Sequence, residues 1–396
     1  MVNRAADALL ARIVQRHAGT VADLGARLVA AGFGSARAPS WETLPTVAPR
    51  AKAELDTLQR QRPDFGGLAP AGLQPETIYW SPGGLMEPRV AAHVECLAAL
   101  LREAGFSAGD RVANGFAYHF TPAGLLVHEA LQHLGATVLP IGPQNTAQAA
   151  EFIAAAGATG YVGIASHLKA LMGAVDALPA ALPRPRLKRA LAGAEPFGDA
   201  IRREIEARWG ITCHDFYGTA EAGIVALECA AHQGVHLHPE VLAELVEPGR
   251  GERSDGPIGE LLLSADADEL PLLRFATGDL VRIDAAPCTC GRTTPRLRVL
   301  GRVGDSARVR GMLLHASQLR AFAAAAGLLA CRVELTRDEG RDHIALHWRA
   351  SLATDEGLLA DAFRDHCRLR ADRFAADASL VEGAFELVDE RRETVT

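Results

Sequence analysis

Apolar residues recur at helical spacing between residues 5 and 31, with Leu9, Leu10, Ile13 and Val14 followed by Val21, Leu24 and Leu28. A break at 32–39 and a loop leading into a short helix over 44–55 come next, and a Pro/Gly-rich stretch at 63–75 closes this helical cap. From residue 77 the pattern switches between periods. Helical runs at 90–104, 123–134, 146–156 and 199–209 alternate with strand-like runs at 111–116, 136–141, 160–164, 187–192 and 212–216. Such alternation predicts an α/β fold whose sheet is mostly parallel, with helices on both faces. After Gly218 the runs are short and broken by Gly, Pro and Asp, at 241–246, 260–264, 280–283 and 297–299, which predicts a small β-rich subdomain. The tail reads as α+β, with helices at 317–325 and 355–370 and strands at 331–335, 343–348 and 384–388. The expected organisation is therefore a large domain over 1–301 (helical cap 1–75, α/β core 76–218, β-rich part 219–301) and a small, mobile C-terminal domain over 302–396.

Composition changes this picture little. Hydrophobic residues make up 48%, charged residues 22%, and the net charge is −7, which describes a globular chain without the basic footprint of a nucleic-acid or membrane-surface binder. The first twenty residues are charged throughout, unlike a secretory leader, and no apolar run is long enough to span a membrane. Seven cysteines, an odd number spread over 396 residues, fit a reducing cytoplasm. Lysine is scarce: Lys52, Lys169 and Lys188 are the whole supply, so any role that needs lysine has three candidates.

The chemistry concentrates in His214-Asp-Phe-Tyr-Gly-Thr-Ala-Glu-Ala-Gly223, followed by Arg274-Phe-Ala-Thr-Gly-Asp279 and Gly301-Arg302. On a tight glycine turn Thr219 is suited to donate to phosphate and Glu221 to hold Mg²⁺, which prefers one or two carboxylates plus phosphate oxygens. Phe216, Tyr217 and Gly218 offer an aromatic face and close backbone for adenine. Gly193-Ala194-Glu195-Pro196 follows a strand where backbone can approach a flat base. Asp279 is placed to accept from ribose hydroxyls, and Arg302 to close the site or contact the ribose. Separately, Cys229, His236, Cys288 and Cys290 form a Cys₃His set suited to structural zinc, with His232 as the alternative nitrogen.

This ordered set, with Leu44-Pro-Thr-Val-Ala-Pro-Arg-Ala-Lys-Ala-Glu-Leu55 and Gly135-Ala-Thr-Val-Leu-Pro140, resembles the phenylacetate–CoA ligase family of the adenylate-forming superfamily. Some relatives share a C…GxH…CxCGR pattern, which this chain carries. The resemblance implies ATP, Mg²⁺ and coenzyme A as co-substrates and cofactors. It implies an aromatic or related small carboxylic acid as substrate, and a C-terminal domain that rotates near 302–305 between adenylation and thioester formation. Homodimers are frequent in the family. Tyr118, His119 and Phe120 align with the family's acyl pocket, completed by Gly193 and Gly218. The phosphate loop aligns with Ser81-Pro-Gly83-Gly84-Leu-Met-Glu87-Pro88, so Ser81, Gly83 and Gly84 would cradle phosphate, but Glu87 stands where lysine is expected. Ala384 likewise stands where the family has its catalytic lysine. Arg310, Arg391 or Arg392 are the candidates to compensate. Two further readings stand beside a CoA ligase: an enzyme passing an acyl-adenylate to a dedicated partner instead of CoA, and, motivated by Glu87 and Ala384, a nucleotide- or acyl-binding protein with lost or weakened catalysis.

Overall fold

The computed structural model describes residues 2–34, 37–62, 65–81, 85–195, 199–248, 250–303, 306–309, 312–338, 341–351 and 355–389. The chain forms two compact units, Met1–Thr277 with Arg282–Arg298, and Gly278–Val281 with Val299–Thr396.

In the first unit, five parallel strands lie side by side in the order Thr137–Pro140, Arg111–Asn114, Gly160–Gly163, Arg189–Ala192 and Thr212–Thr219. Period-two alternation explains why both faces are covered. Ala113, Tyr161 and Ala190 pack with Ile153, Leu168, Leu171, Val175 and Ile205. Their chain neighbours Val112, Val162 and Leu191 pack with Leu97, Leu101, Val127 and Leu131 in a second core. The α/β expectation holds on both faces. One helix escaped the sequence reading: Ala165–Asp176 buries Leu168, Leu171, Met172 and Val175, a helical spacing diluted by Ser, His and Lys.

Beyond Thr219 the sheet becomes antiparallel, through Gly223–Glu228, Val235–Leu237 and Arg296–Arg302. The Arg274–Asp279 motif, whose Thr-Gly-Asp is a common turn sequence, lies inside the long strand Leu272–Asp284. Its apolar residues are buried, and the strand tolerates φ values of 49° at Arg274 and 73° at Gly278.

Arg274 is fully buried. Its Nε pairs with Glu244 at 3.0 Å, while Nη1 donates to Val47 O at 2.6 Å and Nη2 to Gly251 O at 2.7 Å. It thereby ties the N-terminal cap to the β-rich part. A buried pair that loses one partner leaves an uncompensated charge. Arg274→Met is therefore expected to lower unfolding free energy by about 3–5 kcal/mol, read by guanidinium denaturation. A loss below about 1 kcal/mol would show that the hub is dispensable.

The second unit carries a four-stranded sheet in the order Arg373–Ala376, Arg341–Ala350, Leu328–Asp338 and Phe385–Asp389, antiparallel at its centre and parallel at both edges. Helices Ala316–Ala325 and Glu356–Cys367 meet through Phe322 and Phe363, edge to face with centroids 5.3 Å apart. Asp355 caps the second helix by accepting from Gly357 N and Leu358 N, and Arg368 ends it at φ 59°. Among the described residues no helix is long and apolar enough to cross a membrane.

Candidate active site

The turn joining Thr212–Thr219 to Gly223–Glu228 is built by close backbone approach. A Cβ on Gly218 would lie 2.5 Å from Gly223 O, and one on Gly223, whose φ is 70°, would meet the His93 ring at 2.6 Å. Thr219 Oγ1 accepts from Ala222 N at 3.1 Å, which leaves the hydroxyl proton free to donate outward. Glu221 on this turn is 3% exposed and pairs with Lys52 Nζ at 2.8 Å. The sequence reading gave Lys52 no role. Its scarcity as one of three lysines was the signal available.

Glu87 enters the same place from the strand Met86–Pro88, which pairs with Ile78–Trp80. Gln59 fixes that strand from the helix Leu55–Gln61: its Nε2 donates to Met86 O and its Oε1 accepts from Met86 N, both at 2.8 Å. Glu87 is 4% exposed, and among the described residues neither of its oxygens makes a well-formed hydrogen bond, Ser81 being its weak polar neighbour. Burial first, then the neighbouring Glu221 charge, push its carboxyl up to about 8, against smaller opposing effects of Lys52 and Ser81. With no cation bound, burial and the Glu221 charge thus favour the protonated form of Glu87, which softens the charge reversal expected from sequence. Ser81 is itself buried. Gly83 and Gly84 lie outside the described residues, as do Pro196, Arg310, Arg391 and Arg392.

On the base side, a Cβ on Gly193 would lie 2.5 Å from the Phe216 ring, so backbone and ring already touch there. Ala194 follows at φ 64°. Glu195 Oε1 accepts from Ser166 N at 2.6 Å in the first turn of the helix Ala165–Asp176, a local contact the sequence did not disclose. Tyr217 is buried beneath this surface. Tyr118 OH accepts from Asn114 Nδ2 at 2.8 Å and lies 3.1 Å from His128 Nδ1. The structure does not bring Phe120 into an enclosed wall. The residue turns outward at φ 65° and is 71% exposed, and His119 beside it is exposed too. In the second unit Arg302 Nη1 pairs with Asp279 Oδ1.

Beneath Phe216 sits a buried polar group that sequence reading missed. Arg202 Nη1 bonds Glu228 Oε2 at 2.6 Å, and Asp215 N donates to the same oxygen at 3.0 Å. Burial and then Glu228 raise the Asp215 carboxyl to about 7 from an ordinary 3.8. A folded value above the unfolded one means the native state holds a proton the unfolded chain has released. That stability is full below about 3.8 and is lost as pH rises through about 7. Asp215→Asn is expected to flatten the fall in stability between those limits, measured by denaturant melts across the window. An unchanged slope would refute the assignment.

A second constellation lies at the ends of the strands Gly223–Glu228 and Val235–Leu237 and on the loop before Arg296–Arg302. Cys229, His236, Cys288 and Cys290 bring their ligand atoms within 4.8 Å of one another. Cys229 Sγ and Cys288 Sγ are 3.6 Å apart, and Cys290 Sγ and His236 Nε2 are 3.5 Å apart. Tetrahedral zinc, with Zn–S about 2.3 Å and Zn–N about 2.0–2.1 Å, sets edges of about 3.8 and 3.6 Å, so the donor set fits. His236 Nδ1 faces Thr294 O at 3.1 Å and Thr294 Oγ1 at 3.2 Å, which orients Nε2 toward the sulfurs. The alternative nitrogen, His232, points elsewhere. Its Nδ1 is 3.0 Å from Glu228 Oε2, and its ring stacks on His214.

No family model matches the chain. Over 262 residues it is 32% identical to the phenylacetate-coenzyme A ligase of Escherichia coli (strain K12), covering 61% of this chain and 58% of the relative. Over 295 residues it is 29% identical to the phenylacetate-coenzyme A ligase of Thermus thermophilus, covering 71% of this chain and 65% of the relative. The matches thus span under two thirds of the length of these curated relatives. Among solved structures, an open conformation of 2-hydroxyisobutyryl-CoA ligase in complex with 2-HIB-AMP and CoA superposes with a TM-score of 0.85 at 18% identity, covering 98% of this chain and 91% of that chain. By sequence the chain is similar to these phenylacetate-coenzyme A ligases, and it shares the fold of the 2-hydroxyisobutyryl-CoA ligase structure.

Proposed function

We propose that the protein is an AMP-forming acid–CoA ligase that activates an aromatic or related small carboxylic acid in the cytoplasm, with ATP, Mg²⁺ and CoA, and with zinc in the Cys₃His cluster. The observation that carries the reading is the Thr219–Glu221 turn: a buried carboxylate with a cationic partner, beside a threonine hydroxyl whose proton is free to donate. Mg²⁺ bound there would neutralise phosphate charge. Glu221 would hold the ion, and Thr219 would donate to an α-phosphate oxygen. Phe216, Gly193 and Ala194 would take the adenine face. Asp279 would accept from the ribose hydroxyls, with Arg302 steering its carboxylate. The substrate carboxylate oxygen attacks the α-phosphorus, the bond to pyrophosphate breaks, and acyl-adenylate forms. The CoA sulfur then attacks the acyl carbon and AMP leaves with the bonding pair. Tyr118, held by Asn114 and beside His128, is the aromatic residue best placed to shape the acid pocket. The zinc cluster would be structural, pinning the loop 285–295 to the sheet.

ATP–pyrophosphate exchange with a panel of aryl and arylacetic acids, Mg²⁺ present and CoA absent, tests the reading. Acid-dependent exchange is expected, with thioester appearing once CoA is added. Exchange without thioester would favour transfer to a dedicated partner. Binding of ATP without exchange would favour a binding protein. Absence of both would overturn the proposal.

A further inference from the structure

We propose that Glu87 is a second carboxylate ligand to the divalent cation held by Glu221, so that glutamate in the phosphate loop exchanges a fixed positive charge for a cation site. Glu87 and Glu221, 4% and 3% exposed, come from the Met86–Pro88 strand and from the Thr219–Gly223 turn, near enough for the Glu221 charge to act on Glu87. Neither oxygen of Glu87 makes a well-formed hydrogen bond among the described residues, with only Ser81 as a weak polar neighbour, a costly state for a buried polar group. The positive charge set against the two carboxylates is Lys52, whose ammonium pairs with Glu221 from a side chain 31% exposed and so able to swing outward. Oxygen donors from carboxylates, completed by water and phosphate oxygens, are what Mg²⁺ and Mn²⁺ select over softer metals. Gln59 holds Met86 by two hydrogen bonds, which fixes the strand that carries Glu87. The phosphate loop would then bind triphosphate through the cation rather than through a lysine. This deepens the adenylation reading and rests on it for the cation's role in turnover.

The test is Mn²⁺ binding to the full chain without nucleotide, read by loss of the free-ion EPR signal. The wild type is expected to bind, and Mg²⁺ to compete. Glu87→Gln and Glu221→Gln are each expected to weaken binding about tenfold or more. Glu87→Asp should stay within about threefold of wild type, because the carboxylate remains. Lys52→Met should bind several-fold more tightly, because the competing ammonium is gone. If Glu87→Gln fails to fold, Glu87→Ser decides the matter, with the same loss of binding expected and wild-type binding in it overturning the proposal. Mn²⁺ at the Cys₃His cluster would respond to none of these changes. Wild-type binding unaffected by Glu87→Gln, or no Mn²⁺ binding at all, would overturn the proposal. Acid-dependent exchange together with indifference to Glu87→Gln would sink this inference and leave the ligase reading standing. Silent exchange together with Mn²⁺ binding lost in Glu87→Gln would do the reverse.

Discussion

Cys288→Ser is expected to strip the metal from the Cys229–His236–Cys288–Cys290 cluster and to lower the melting temperature by about 10 °C or more. Structural zinc contributes folding free energy outright, on the order of 10 kcal/mol in small domains. In a unit of this size, a third to a half of that spread over the domain gives such a shift. The geometry says why the loss would spread. Cys229 terminates one strand, His236 sits inside the next, and Cys288 and Cys290 lie on the loop leading to a third. Arg296, buried, ties the same loop to Asp284 and Gln233, so the loop would be loosened rather than released. His236→Ala should lose the metal as Cys288→Ser does, whereas His232→Ala should keep it, since His232 faces Glu228. Elemental analysis beside calorimetric melting reads both effects. Less than about a tenth of an equivalent of zinc in fresh wild-type protein would defeat the structural-zinc reading.

Glu221→Gln is expected to reduce acid-dependent ATP–pyrophosphate exchange by about 10²–10³-fold. That is the usual cost of removing one group that stabilises transferring charge in a water-poor site. Glutamine keeps the shape of a side chain that is almost wholly buried, so the effect should fall on turnover while the fold persists. It would also free Lys52 from its partner, and binding of ATP should therefore weaken less than exchange does. A drop below about threefold would remove Glu221 from the chemistry, whatever the family resemblance implies.

Much of this molecule is legible in its one-dimensional pattern. Strand and helix periods announced the doubly covered sheet because Val112 and Ala113, or Leu191 and Ala192, must face opposite layers of helices. Missed elements were those whose signal is diluted or contradicted locally. The helix Ala165–Asp176 mixes polar residues into its apolar stripe, and Arg274-Phe-Ala-Thr-Gly-Asp279 carries turn-forming residues inside a strand. There the sheet's hydrogen bonding and the burial of Phe275 and Ala276 outweigh local preference.

The sequence by itself determined the layer architecture, the ordered motifs around Thr219, Glu221 and Asp279, and the four residues able to form a Cys₃His set. Periodicity and residue chemistry are properties of the chain, and they survive without coordinates. Tertiary structure alone decided which side chains meet. It set His236 rather than His232 beside the cysteines, turned Phe120 outward, and brought the charges of Lys52, Glu87 and Glu221 within reach of one another. The reason is physical. Charge and protonation at a site depend on distance and burial, which residues far apart in sequence acquire only when the fold closes around them.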